Sequence, residues 1–148
     1  MNLRHRIVSN SGDLNLFIDA IKIAGLPHQD LNAKDQILII YFINDALVGT
    51  GGLELINQYG LLRSISVNPN YRNKGIGRKI TNNILDTARL SNLDEVYLLT
   101  ETAKDYFQKL GLKEVNRDSV PEPIKSTTEF ASVCPASATC MVMKLKTK

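Results

Sequence analysis

The residues best placed to do chemistry lie together at Arg72-Asn73-Lys74-Gly75-Ile76-Gly77-Arg78, between an apolar stretch ending at Val67 and a run with helical apolar spacing. Glycine lets backbone N–H groups approach a ligand closely, and a helix starting at such a loop turns the positive end of its dipole toward it. The chemistry this suits is the cradling of a pyrophosphate. The charge distribution points the same way. Residues 1–60 carry 4 basic and 6 acidic side chains, residues 61–80 carry 5 basic and none acidic, and residues 81–148 carry 9 of each. The basic excess of a chain with net charge +3 therefore sits around the loop. Two familiar glycine loops are excluded. Gly77 is followed by Arg78-Lys79 rather than Lys-Ser/Thr, so this is no P-loop. Position 80 is Ile, and the preceding strands read as antiparallel, so it is no dinucleotide fingerprint of a parallel unit.

These residues must be positioned by the elements around them. Leu3 to Val8 reads as a short strand. Ser11-Gly12-Asp13 is a capping cluster before the apolar set Leu14, Phe17, Ile18, Ile21 and Ala24, a helix that Gly25 and Pro27 should stop. Gln36 to Ile43 is too apolar for an exposed strand, and Asn44-Asp45 turns it into a second strand, Ala46 to Ile56. Asn57-Gln58-Tyr59-Gly60 reads as a four-residue turn into a third, Leu61 to Val67, completing an antiparallel meander. Past Pro69, Ile76, Ile80, Ile84, Leu85 and Ala88 share a helical face that ends near Leu90. A strand at Val96 to Thr100, a short helix at Ala103 to Leu110 closed by Gly111, and a strand at Lys113 to Arg117 follow. Ser119 to Pro123 reads as loop, Ser126 to Val133 as a short helix, and Cys140 to Leu145 as a closing strand. The expected fold class is mixed α/β (α+β).

Composition narrows the classes. The 148 residues, 43% apolar and 22% charged, suit one globular domain over 1–148 and argue against disorder or a disulfide scaffold. The longest apolar run, Ile37 to Ile43, is far short of the ~20 residues a membrane helix needs. No secretory signal follows Arg4 and Arg6, so a cytoplasmic location and no membrane partner are expected. Cys134 and Cys140 are expected as free thiols. Their spacing fits no standard metal site, so no metal is expected. His5 and His28 read as ordinary solvated residues.

The pattern Arg-x-x-Gly-x-Gly at 72–77, after a strand ending Val67-Asn68-Pro69, resembles the coenzyme A loop of the GNAT acetyltransferase superfamily. The downstream stretch Ala103-Lys-Asp-Tyr-Phe-Gln-Lys-Leu-Gly111-Leu112 is similar to that superfamily's second motif. The resemblance implies the GNAT acyl-CoA N-acyltransferase fold, a mixed central sheet with an antiparallel N-terminal meander and flanking helices. It also implies acetyl-CoA as the cofactor, with Arg72, Asn73, Lys74, Gly75, Ile76, Gly77 and Arg78 on its pyrophosphate. Ile65, Ser66 and Val67 would hold the donor by main-chain groups, one N–H polarising the acetyl carbonyl. Gly51-Gly52-Leu53-Glu54, Leu98-Leu99-Thr100-Glu101-Thr102-Ala103 and Cys134-Pro135-x-Ser137-Ala138 further resemble the second arsenic-resistance N-acetyltransferase family. That implies acetylation of an amine, in arsenic or toxin resistance.

The site residues follow from the two readings together. The superfamily's frequent Tyr general acid corresponds to Phe107, a neighbour of the cofactor. Tyr106 stands one residue earlier, about 100° round the helix, as an alternative proton donor or a partly buried aromatic. Glu54 is a base candidate on the strand facing the acetyl group. In a four-residue turn, paired residues sum to 117, which sets Glu54 opposite Arg63. Such a pair is either a commonplace cross-strand bridge or a clamp for a zwitterionic substrate, with Arg63 and Ser64 as substrate contacts. Glu101 is a second base candidate or a helix cap.

The leading expectation is an N-acetyltransferase acting on a small-molecule amine, an amino-acid-like arsenical or a related amino acid. A protein lysine or N-terminal acetyltransferase and a non-catalytic coenzyme A sensor are the alternatives. No nucleic acid partner is expected, because the basic patch lacks aromatic platforms or a recognition helix. Members of the superfamily are often homodimers, so a homodimer is expected by analogy of fold.

Overall fold

The computed structural model describes residues 2–31, 35–133 and 137–146. The elements run β1 (Leu3–Ile7), α1 (Ser11–Ile23), β2 (Gln36–Ile43), β3 (Ala46–Ile56), β4 (Tyr59–Val67), α2 (Ile76–Leu90), β5 (Glu95–Thr100), α3 (Lys104–Lys109), β6 (Lys113–Glu114), α4 (Glu122–Lys125) and β7 (Thr139–Lys144). Short 3-10 turns occupy Pro69–Tyr71 and Arg117–Ser119, and a π-helical turn occupies Glu129–Val133. Among the described residues one sheet has the order β1-β2-β3-β4-β5-β7-β6. Neighbours are antiparallel except β4 and β5, which are parallel. This is the mixed α/β architecture expected, with the antiparallel run at its N-terminal end.

Side-chain alternation explains why β2 is apolar throughout. Ile39 and Tyr41 pack with Ile76, Ile80 and Ile84 of α2. Leu38 and Ile40 point the other way and pack with Phe17 and Ile21 of α1. The sheet is thus covered on both faces. On the C-terminal half, Tyr97 of β5 and Cys140 of β7 bury a separate cluster with Val120, Ile124 and Phe130. The stripe predicted on α2 is the one buried, joined by Thr81. Among the described residues no helix is long and apolar enough to cross a membrane.

Several boundaries differ from expectation. Asn10, not the Ser11-Gly12-Asp13 cluster, caps α1, its Oδ1 accepting from the Asp13 N–H at 2.8 Å. The turn before β4 is Asn57-Gln58 alone, with Asn57 in the left-handed region at φ 56°. Strand β4 therefore begins at Tyr59. The expected strand Lys113 to Arg117 is only two residues long, since Arg117 starts a 3-10 turn. The stretch expected as loop holds the start of α4, and the helix expected over Ser126 to Val133 is a π turn from Glu129. Strand β7 lies between β5 and β6.

Candidate functional site

The site begins where a ladder ends. Strand β4 pairs with β5 only over Tyr59–Leu61 against Glu95–Tyr97. Beyond that point Leu62 to Val67 and Leu98 to Thr100 border a cleft of about 1110 Å³. The register of β3 and β4 slips here as well. Gly52 faces Arg63 and Thr50 faces Ser66, so Ser64 and Ile65 bulge opposite Gly51. Ser64 takes φ 59°, a left-handed conformation unusual for serine that costs of order 1–2 kcal/mol. Thr50 holds the bulge, donating its Oγ1 proton to the Ser64 carbonyl at 2.7 Å. That proton being committed, the Ser66 hydroxyl donates to Thr50 Oγ1 at 2.6 Å.

At one end of the cleft the glycine loop enters α2. Gly75 is the N-cap in a left-handed conformation, φ 77°, and no side chain caps the helix. Its first turn holds no acid, while Arg72, Lys74, Arg78 and Lys79 around it are exposed. Uncapped amides at a positive helix end with four nearby cations are chemically matched to a phosphate anion. Gly77 has a different reason to be glycine. A Cβ there would lie 2.6 Å from the Tyr106 hydroxyl oxygen, so its bare backbone admits the phenol and not only a ligand. Burial pushes the Tyr106 hydroxyl above its ordinary pKa, partly offset by its hydrogen bond with Thr81 and the charge of Arg78. It is a protonated donor on the cleft wall at neutral pH. Phe107 is buried beside it, its ring edge-on at 5.2 Å.

At the other end lies a buried ion cluster. Arg63 Nη1 and Nη2 donate to the two carboxylate oxygens of Asp30, the second at 2.5 Å, and Nη1 also donates to Glu54 Oε1 at 3.1 Å. The Arg63 side chain is 0% exposed. Burial alone would lower its pKa. The hydrogen bond with Asp30 and the charges of Glu129, Asp30 and Glu54 outweigh this and hold the guanidinium above its ordinary range.

The structure gathers most of the expected residues around one cleft. Arg63, Ser64, Ile65, Ser66, Val67, Arg72, Asn73, Gly75, Ile76, Gly77, Arg78, Glu101, Tyr106 and Phe107 all border the cleft, Glu101 as an exposed residue. Lys74 sits on the same loop without lining the cleft, and Glu54 lies behind Arg63 rather than on the wall. The register expectation needs correction. Glu54 faces Leu61, and its contact with Arg63 is a diagonal one, because the turn is two residues shorter. Cys134 lies outside the described residues; Cys140 is buried and free. His28, read in the sequence as an ordinary solvated residue, lines the cleft together with Glu129, and the sequence reading gave neither Glu129 nor Asp30 a role in the site. The signal that could have found Asp30 is the need of a buried arginine for a bidentate partner. Glu129 follows the polar run Ser126-Thr127-Thr128, and the local sequence carries no comparable signal for it.

Comparison with known proteins is consistent with this geometry. The model of the acetyltransferase (GNAT) family matches residues 14–112. An amino-acid acetyltransferase of Edwardsiella ictaluri (strain 93-146) is 30% identical over 63 residues, 43% of this chain and 14% of that protein. The chain thus spans only a small part of that curated relative. Among solved structures, N-acetylglutamate synthase from Neisseria gonorrhoeae complexed with coenzyme A and L-arginine has a TM-score of 0.78 and 19% identity, over 97% of this chain and 33% of that one. The PaiA N-acetyltransferase from Thermoplasma acidophilum in complex with coenzyme A has a TM-score of 0.71 and 17% identity, over 97% of this chain and 99% of that one. At these identities the likeness speaks for the fold.

Proposed function

The chain belongs to the acetyltransferase (GNAT) family, and from that premise we propose that it is an acetyl-CoA-dependent N-acetyltransferase acting on the amine of a small molecule. The observation that carries this reading is the cleft opening at the end of the β4–β5 ladder, with an uncapped, cation-ringed helix N-terminus at its mouth. Neighbours crystallised with coenzyme A support the choice of cofactor.

Acetyl-CoA supplies an activated acetyl thioester. The amides after Gly75, with Arg72, Asn73 and Arg78, bind its pyrophosphate. The bulge at Ser64 turns the main chain of Ile65 to Val67 toward the cleft, where an N–H stabilises negative charge developing on the acetyl oxygen. The acceptor amine attacks as its free base, forming the C–N bond as the C–S bond breaks. Tyr106 donates a proton to the departing sulfur. Glu101 is the exposed carboxylate of the wall that takes the amine proton. Glu54, held by Arg63 behind the cleft wall, takes no part in the proton transfers of this scheme.

The acceptor class follows the arsenic-resistance resemblance: an amino-acid-like arsenical or a related amino acid. A relative that acts on amino acids supports it. Acetyl-CoA should raise the melting temperature, by about 2.7 kcal/mol of stability at a hundredfold excess over Kd. No shift at saturation would overturn the reading. Thiol release from acetyl-CoA over a panel of amino acids, amine-bearing arsenicals and peptides then identifies the acceptor. Binding without release from any of them would indicate a sensor.

A further inference from the structure

We propose that Asp30 is a positioning residue of the reaction centre: its paired hydrogen bonds to Arg63 lock the loop after α1, one wall of the cleft, onto the β4 bulge that aims Ile65 to Val67 at the thioester. This rests on the acetyl-transfer reading. Three observations carry it. The loop from Ala24 to Gln29 lines the cleft, and Asp30 follows directly. Leu26 and Leu31 on either side of Asp30 pack against the α1 cluster, so the loop is fixed at both ends by apolar contacts. Its polar tie is Asp30, whose side chain is 9% exposed and holds both Nη atoms of Arg63. Its carbonyl also accepts from Gln36 Nε2 of β2 at 3.1 Å.

Arg63 immediately precedes Ser64, the residue in the strained left-handed conformation. A planar guanidinium gripped from across the cleft wall fixes the direction of the chain entering the bulge. The same grip occupies the guanidinium. Two of its nitrogens serve Asp30, one of these also serves Glu54, and Nε lies 3.4 Å from Ser64 Oγ. Arg63 is therefore part of the frame, and a carboxylate on the acceptor is read by some other group.

The test compares wild type with Asp30→Asn, Asp30→Glu, Arg63→Lys and the Asp30→Asn/Arg63→Lys double variant. Amide hydrogen exchange in Asp30→Asn should speed up by roughly tenfold or more over both 24–31 and 62–67, with 76–90 unchanged. The double variant should go no further than the larger single one. In the thiol-release assay, kcat should fall by roughly tenfold to a hundredfold while KM for acetyl-CoA stays within about twofold, and Asp30→Glu should recover part of the loss. Exchange that rises only in the loop, rises uniformly through the fold, or is unchanged overturns the proposal, as does an unchanged kcat. L-Glutamate that raises the melting temperature of wild type but not of Arg63→Lys would make Arg63 a substrate ligand, and that too overturns it. If wild type releases no thiol with any amine, the acetyl-transfer reading fails, and the exchange pattern still decides whether Asp30 couples loop to strand.

Discussion

At the scale of single residues, Gly77 and Tyr106 form one unit. A Cβ on Gly77 meets the phenol oxygen at 2.6 Å, while the next ring atom lies at 3.5 Å, an ordinary contact. Gly77→Ala should therefore displace Tyr106 and cost about 1–3 kcal/mol, read as a lower melting temperature, with slower thiol release. In a Tyr106→Phe background, which removes the offending oxygen, the same substitution should cost well under half as much. A double-mutant cycle checks this, and additive costs would show that the clash is relieved elsewhere. The glycine was legible in the sequence and its reason was not. The pattern Arg-x-x-Gly-x-Gly marks a loop, but only the fold shows that the side chain of Tyr106, on another helix, takes up the freed space. Arg63 is a similar case. The sequence counts it within a basic island of +5, yet its charge is neutralised inside the cleft wall by Asp30 and Glu54, and the island facing solvent consists of Arg72, Lys74, Arg78 and Lys79.

At the scale of elements, the close seating of α2 on β3 shapes the site. A Cβ on Gly51 would come within 3.0 Å of both Ile80 and Ile84, and one on Gly49 within 2.6 Å of Ile80 and of the Ser66 carbonyl oxygen. Gly49→Ala must push the β4 backbone at Ser66, one of the residues proposed to hold the acetyl donor. We expect it to lower stability by about 2 kcal/mol and to lower kcat for thiol release, whereas Gly51→Ala, which meets side-chain atoms of α2 and not the β4 backbone, should lower stability alone. Chemical denaturation with parallel kinetics separates the two. The first strands of the meander were readable from their β-branched and aromatic content and the turn residues between them, down to the ends of β2 and β3. The β3–β4 register was misread because Gly60 looks like a turn glycine. It is instead a strand residue whose missing Cβ makes room for Leu53 and Leu93, each of which would lie at 2.8 Å. Packing made it glycine, and packing is not visible in local sequence. The π turn carrying Glu129 escaped for a related reason, since its local pattern is that of an ordinary helix.

At the scale of the whole molecule, two titratable groups are buried in the C-terminal half of the sheet. Burial pushes the Cys140 thiol from 9.0 up to about 11, and burial, with the hydrogen bond to Glu95, raises the Tyr97 phenol further. Both are neutral when folded, and the unfolded chain loses their protons first. Their contribution to stability is complete below about pH 9 and falls as pH rises through the folded values, by roughly 2–3 kcal/mol for Cys140. Melting temperature measured from pH 8 to 11 should drop, and Cys140→Ala should flatten the part of that drop near pH 9–11; an equal slope in the variant would assign it elsewhere. The strand order of this half was the least legible feature. Nothing local tells a final strand that it belongs between two earlier ones, and β7 does so by pairing with β5 on one side and β6 on the other. The consequence reaches back to synthesis. As the chain leaves the ribosome, the apolar run Val96 to Leu99 has no neighbour on its open side until Thr139–Lys144 has emerged. The nascent protein must shield that exposed edge for the time taken to translate some forty further residues.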